Sequence, residues 1–288
     1  MGRPHIEFIQ SQALPWVRSP YGGRFRHAEI KLLSQDQASG AASLLVRYPP
    51  GYARQGAEYL TVDEELFVLQ GSLQINDRDY SEMCYAHLPA GFPRTVQTSA
   101  EGATVLTFLS GLPETETGTA PAGIYDGSRL VTHVDSLRTR PSNDLRLLGV
   151  EVTKEIEDGF VGFSFILFRE DPHTHDQTWM LSAPPLWRGG VIEIHPVVEE
   201  MYLVAGDMAA DRGLMKAGAY FWRPPGMAHG PFGSKTGNLL FFRTQGGPLT
   251  TEFADGSDAF TWTPEHAPVL PPELEQYGRE PNTEYQCY

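Results

Sequence analysis

Four side chains in the C-terminal half of the chain are of types that bind transition metals. Glu193, His195 and Glu199 lie in the seven-residue segment EIHPVVE, and His229 follows further along. Two imidazoles and two carboxylates form a hard nitrogen and oxygen donor set, which suits Mn, Fe, Ni, Co or Zn. The set offers no thiolate, which argues against a structural zinc site of the cysteine type. These residues predict one divalent transition metal and leave the choice among the five ions open.

Glycines and a proline stand at fixed distances from these residues. Gly206 follows Glu199, and the later segment GAYFWRPPGMAH supplies a glycine, a proline, a second glycine and a histidine: Gly218, Pro224, Gly226 and His229. The spacing resembles the two cupin motifs, G-x5-H-x-H-x3-E-x6-G and G-x5-P-x-G-x2-H. Gly190 fits the first motif only loosely, and Glu193 stands where His is commoner. The resemblance implies a metal inside a β-barrel, with Glu193, His195, Glu199 and His229 as its ligands.

The chain contains an internal repeat. At an offset of 135 residues, SLLVRYPPGYARQGAEYLTVDEELFVLQGSL lies over TWMLSAPPLWRGGVIEIHPVVEEMYLVAGDM without a gap. Pro-Pro, Glu-Glu, Gly and Pro-x-Gly all fall in one register, which chance does not easily produce. The repeat predicts two copies of one module, at about residues 25–112 and 160–247. The segment near 112–130 is rich in Gly, Pro and Thr and reads as a linker.

The first copy lacks the metal donors of the second. At the equivalent positions it carries Glu58, Leu60, Glu64 and Arg94. Leucine cannot ligate, and Arg94 places a permanent cation where the last ligand should be. We therefore expect a metal-free module in which Arg94 pairs with Glu58 and Glu64. An anionic ligand bound through Arg94 stays open as the alternative.

Short apolar runs separated by Gly and Pro indicate an all-β protein. ELFVLQGSLQI and EMYLVAGDM are strand-like runs that glycine is expected to end, and helical periodicity is hard to find. Two copies of such a module predict two small barrels or sandwiches. Together with the motifs, the chain resembles uncharacterised metal-binding bicupins, with duplicated double-stranded β-helix (jelly-roll) barrels. The expected domains are residues 1–125, metal-free, and 126–288, which carry the metal site and the C-terminal tail.

Composition and charge limit the compartment and the partners. The net charge of −14 argues against nucleic acid and against an anionic membrane surface. Cys84 and Cys287 form no C-x-x-C, so a reducing cytoplasm is expected, although a bridge between them stays open. The sequence shows no signal-peptide pattern and no apolar run long enough to span a membrane. A small-molecule substrate and, by the cupin resemblance, a homodimer are expected.

The cupin resemblance implies an enzyme without naming its reaction. The first hypothesis is a mononuclear dioxygenase that cleaves a C–C bond in a small diketone-like or hydroxyketone-like compound. A redox-neutral lyase, isomerase or hydrolase is the second hypothesis, and a non-catalytic metal sensor is the third. Strand alternation and proximity make four further side chains candidates for binding substrate: Met201, Leu203, Trp222 and Arg243.

Overall fold

The computed structural model describes residues 2–149, 160–255 and 260–281. Cys287 lies outside these ranges, and so does the bridge to Cys84 that the sequence left open. Within them the chain consists of antiparallel strands and short 3-10 helices, the latter at Ser11–Ala13, Gly23–Phe25, Gly127–Arg129, Leu145–Leu148 and Glu275–Tyr277. No helix in the described ranges is long and apolar enough to cross a membrane. The all-β class expected from the sequence is confirmed.

The chain divides into two compact units. The first unit comprises residues 1–3 and 14–139, and the second comprises residues 4–13 and 140–288. The sequence instead suggested that residues 4–13 belong to the first module and that the two modules meet at residue 125. The difference arises because residues 4–13 contain strand β1 (Ile6–Gln10), which pairs with a strand of the second unit.

The first unit is built on a curled antiparallel sheet. Its alternating apolar residues, such as Leu44, Val46, Leu66 and Val68, meet in one buried cluster. Its strands are β2 (Val17–Arg18), β3 (Glu29–Gln35), β4 (Ala42–Tyr48), β5 (Tyr52–Leu60), β6 (Glu64–Ile75), β7 (Arg78–Ser81), β8 (Cys84–Leu88), β9 (Arg94–Ser99), β10 (Ala103–Leu109), β11 (Thr115–Thr117) and β12 (Val131–Asp135). The hydrogen-bonded order is β11-β5-β9-β6-β10-β4-β3-β2, with β7 and β8 also paired to β6 and β12 to β8.

The second unit has a related antiparallel sheet. Its strands after β1 are β13 (Ser164–Glu170), β14 (Gln177–Ala183), β15 (Trp187–Arg188), β16 (Val191–Ile194), β17 (Val198–Ala210), β18 (Gly213–Lys216), β19 (Ala219–Arg223), β20 (Gly233–Ser234), β21 (Asn238–Gln245) and β22 (Glu252–Asp255). The main order is β1-β19-β17-β21-β14-β13, β18 and β20 also pair with β17, β15 pairs with β20, and β16 and β22 form a separate pair. Its core includes Trp179, Leu203, Phe221 and Phe242.

The strand pairing repeats at the positions that the sequence repeat makes equivalent. Glu58 of β5 lies opposite Arg94 of β9, and Glu193 of β16 lies opposite His229 in an antiparallel bridge. Both pairs occupy the same place in the two copies, at an offset of 135 residues. The two halves therefore present equivalent backbone positions with different side chains.

Gly71 and Gly206 lie inside strands rather than at their ends, contrary to the expectation that they end the runs. Strand β6 continues to Ile75 and β17 to Ala210. Both glycines have positive φ, 76° and 84°, and a Cβ atom on Gly206 would overlap the carbonyl oxygen of Gly237. The glycines therefore allow a local kink and a close backbone approach within a continuing strand.

Candidate metal centre

Three of the four predicted ligands converge in the second unit. Glu193 lies on β16, His195 follows that strand directly, and His229 lies in the loop between β19 and β20. Backbone hydrogen bonds of 2.9 and 3.1 Å join Glu193 and His229 in both directions and fix their register. One ligand atom from each of the three side chains lies within 4.8 Å of the other two. Such a spacing allows all three to contact one ion.

The hydrogen bonds of both histidines leave the Nε2 atom available. Nδ1 of His195 lies 3.0 Å from the carbonyl oxygen of Thr250, and Nδ1 of His229 lies 2.9 Å from that of Met227. A carbonyl accepts only, so Nδ1 carries the proton and the Nε2 of the neutral ring carries a lone pair. Both Nε2 atoms are buried and have no hydrogen-bond partner among the described residues. Two nearby Nε2 lone pairs that accept no hydrogen bond form a suitable site for a cation.

Glu199 lies beside the three residues but is already held by a cation. Its carboxylate oxygens lie 3.8 Å from Nε2 of His195 and 3.5 Å from Nε2 of His229. The oxygen nearer His229 accepts a 2.7 Å hydrogen bond from Arg223 Nη1. Glu199 thus differs from Glu193, because its carboxylate already forms an ion pair with Arg223.

Arg223 and Glu7 are a buried pair that the sequence did not reveal. Arg223 is 2% exposed and ends β19, while Glu7 is 4% exposed and lies on β1. The guanidinium donates through Nε to one Glu7 oxygen at 2.5 Å and through Nη2 to the other. Its third arm reaches Glu199, so one arginine joins β1 to the ligand cluster.

Burial and charge set the protonation of these groups. Burial would raise the pKa of Glu7, but the Arg223 charge and its hydrogen bonds outweigh it and lower the pKa to about 2. Burial and then the positive charge of Arg223 lower the pKa of His229 to about 4. Burial also works to lower the pKa of His195, yet the nearby carboxylates of Glu199 and Glu193 raise it above its ordinary value. His229 is therefore neutral at physiological pH and ready to ligate.

An apolar cavity of about 90 Å³ adjoins the cluster. Glu193, Glu199 and Arg223 supply polar groups, and most of the rest of the wall is aromatic or aliphatic: Leu145, Leu148, Phe160, Phe163, Trp179, Leu181, Trp187, Phe221, Phe232, Leu240, Phe242, Leu249 and Phe253. Leu145, Leu148, Phe160 and Phe163 of this wall were not connected with the site by the sequence.

The four predicted substrate-binding residues lie elsewhere than on this wall. Met201 and Leu203 face the interior as strand alternation predicted, but they are packed into the buried core. Arg243 donates to Glu200 at 2.6 Å, and β17 pairing places Trp222 opposite the same glutamate. The described residues that line the cavity include none of these four.

Comparison with known proteins places the chain in a family. The model of a family described as "Domain of unknown function (DUF4437)" matches residues 8–249. The chain belongs to the DUF4437 family. None of the curated proteins compared matches this DUF4437 chain.

Solved structures of two proteins share its fold. A Nostoc punctiforme protein described as a "putative dioxygenase" has a TM-score of 0.71 and 20% identity, covering 85% of this chain and 87% of that one. Bacillus subtilis oxalate decarboxylase has a TM-score of 0.51 and 14% identity, covering 88% and 79%. These likenesses show that the DUF4437 chain has a cupin fold.

The first unit of the DUF4437 chain replaces the metal donors with an ion-pair cluster. Arg94 donates to Glu64 at 2.7 Å, which confirms that part of the prediction. Glu58 instead accepts from Arg54 at 2.6 Å. Leu60 is buried in the apolar core of that unit. At the position that the two units share, the first therefore carries the permanent cation of Arg94 and the second the neutral imidazole of His229.

Proposed function

We propose that the chain is a metal-dependent cupin enzyme with one divalent transition ion (Fe, Mn, Ni, Co or Zn) in the second unit. Glu193, His195 and His229 would hold the ion, with Glu199 as the fourth ligand. The observation that carries the proposal is the pair of buried, unpartnered Nε2 atoms that converge with a carboxylate. Leaving such acceptors unsatisfied in an apolar site is costly, and a cation would remove that cost.

The side chains around the proposed ion have separate tasks. A bound divalent ion supplies Lewis acidity toward the oxygen atoms of a substrate. Glu193 and Glu199 offset its charge, and Thr250 and Met227 hold the imidazole rings in the ligating tautomer. Arg223 orients Glu199 and prevents that carboxylate from turning away.

The cavity favours a small substrate with an apolar body and an oxygenated end. Its aromatic and aliphatic wall would bind a hydrocarbon portion, and Glu193, Glu199 and Arg223 lie at its polar side. A space of about 90 Å³ corresponds to roughly three water molecules at about 30 Å³ each, so the substrate is small. A diketone-like or hydroxyketone-like compound has this shape, and the proposed reaction is its oxidative C–C cleavage by a dioxygenase. The fold shared with a "putative dioxygenase" supports this reaction class.

A redox-neutral reaction is the second candidate. The cupin fold shared with oxalate decarboxylase supports a lyase in this architecture, and an isomerase or hydrolase belongs to the same group. Oxalate itself matches the cavity less well than a partly apolar compound, because the wall is mostly hydrocarbon. We further propose that the protein acts in the cytoplasm and that it forms a homodimer. Light scattering on the purified protein tests the dimer, because it measures the molar mass in solution.

Elemental analysis of anaerobically purified protein tests the metal site. We expect one transition ion per chain in the wild type and its loss in His229→Ala. His175→Ala is the matched control, because the side chain of His175 is 60% exposed and outside the cluster. Equal, stoichiometric metal in the wild type and His229→Ala would refute the ligand assignment.

The identity of the ion and the use of oxygen separate the functions. Iron with substrate-dependent O2 consumption supports the dioxygenase. Mn or Ni with turnover and no O2 consumption supports the redox-neutral enzyme. Tightly bound zinc without turnover of any oxygenated substrate supports the non-catalytic sensor and contradicts both enzymatic functions.

A further inference from the structure

Two arginines meet at one carboxylate inside the first unit. Arg24 is 0% exposed and Arg94 2% exposed, and both guanidiniums face the same oxygen of Glu64, at 3.5 and 2.7 Å. Arg24 also donates through Nη2 to the side-chain oxygen of Gln97. Arg94 and Gln97 lie on strand β9, and Arg24 lies on the 3-10 helix Gly23–Phe25.

Several donors of this cluster have no acceptor. Nε and Nη1 of Arg24, the same two atoms of Arg94, and Nε2 of Gln97 are buried and lack a hydrogen-bond partner among the described residues. The Tyr48 hydroxyl lies within hydrogen-bonding reach of Arg24 and Gln97, and one phenol oxygen is too few for the five donors. Buried donors without acceptors are rare in folded proteins, and several in one place call for a shared acceptor.

The charges in this part of the first unit do not balance. Arg24 and Arg94 face Glu64 alone, since the carboxylate of Glu58 accepts from Arg54 at 2.6 Å. The three arginines and two glutamates leave one positive charge in excess. A buried cation without a counter-charge is strongly disfavoured, so the missing partner should be an anion of single charge.

We propose that the first unit binds a small planar monoanion, a short carboxylate or bicarbonate, between Arg24, Arg94 and Gln97. A small planar oxyanion has several acceptor positions, so it can accept one charge-assisted hydrogen bond from each guanidinium and another from the Gln97 amide, whose donors are free. Tyr48 remains a phenol, since burial raises its pKa above the ordinary value, and it adds a donor. The site occupies the register at which the second unit carries its metal donors. It does not depend on the metal proposal.

Calorimetric titration of the full chain with formate and with bicarbonate tests the site, at constant ionic strength and in a buffer of large organic anions. We expect saturable binding of at least one of the two, and the tighter one identifies the natural class. Arg94→Gln should weaken it by at least about tenfold, because one charge-assisted hydrogen bond and the positive charge behind it are lost. Arg47→Gln is the matched control, as Arg47 is an exposed arginine paired with Glu29, and it should leave the affinity unchanged.

A crystal of the wild-type protein grown with bromide locates the anion without any variant. An anomalous peak in contact with Arg24 and Arg94 supports the proposal even if Arg94→Gln does not fold. Ordered water alone at these guanidinium groups overturns it. Absence of saturable binding of both anions overturns it too, as does binding that Arg94→Gln leaves unchanged.

Discussion

Replacement of Glu7 by glutamine should reveal how much β1 contributes to the second unit. In the folded protein the pKa of Glu7 is about 2, against an ordinary value of 4.5. The depression corresponds to about 3 kcal/mol of stability, at about 1.4 kcal/mol per pKa unit. Because the folded pKa is lowered, this stability is fully present above pH 4.5 and is lost as the pH falls from about 4.5 to about 2. Glu7→Gln should therefore be less stable than the wild type by about 3 kcal/mol at pH 7, and the difference should vanish near pH 2.

Chemical denaturation at a series of pH values measures this difference directly. The matched control is Glu29→Gln, which breaks the exposed pair between Glu29 and Arg47 and should cost no more than about 1 kcal/mol. A difference between Glu7→Gln and the wild type that stays constant from pH 7 to pH 3 would show that Glu7 is not ionised against Arg223. A difference below about 1 kcal/mol at pH 7 would contradict the burial argument.

Three further outcomes follow from the same contacts. Metal affinity should rise with pH by up to about tenfold per unit in the range where His195 titrates, since the ion displaces its proton; a flat pH profile from competition with a chromogenic chelator contradicts this. Arg223→Lys should lower metal affinity by about 10- to 100-fold because lysine cannot hold Glu199 and Glu7 together, and unchanged affinity in the same assay excludes the positioning role. Gly206→Ala should destabilise the protein by at least about 1–3 kcal/mol in thermal or chemical unfolding, since its φ is 84°; a neutral effect would contradict the observed backbone conformation.

The sequence was sufficient to identify the residues of the candidate metal centre but not the side chains that support it. The spacing that resembles the cupin motifs implied that His195 and His229 meet, and the structure brings them together. Arg223 and Glu7 escaped prediction because they come from opposite ends of the chain and share no motif. The cavity wall was also missed, since a strand pattern shows which residues face inward and not how deeply the core fills the barrel.

The strand Ile6–Gln10 carries a consequence for how the chain can be divided and made. Its partner Ala219–Arg223 is synthesised more than 200 residues after it. A fragment that starts at residue 140 would expose the edge of that late strand and leave the guanidinium of Arg223 short of one carboxylate. Expression of the two halves as separate polypeptides should therefore succeed only if residues 4–13 are fused to the C-terminal half.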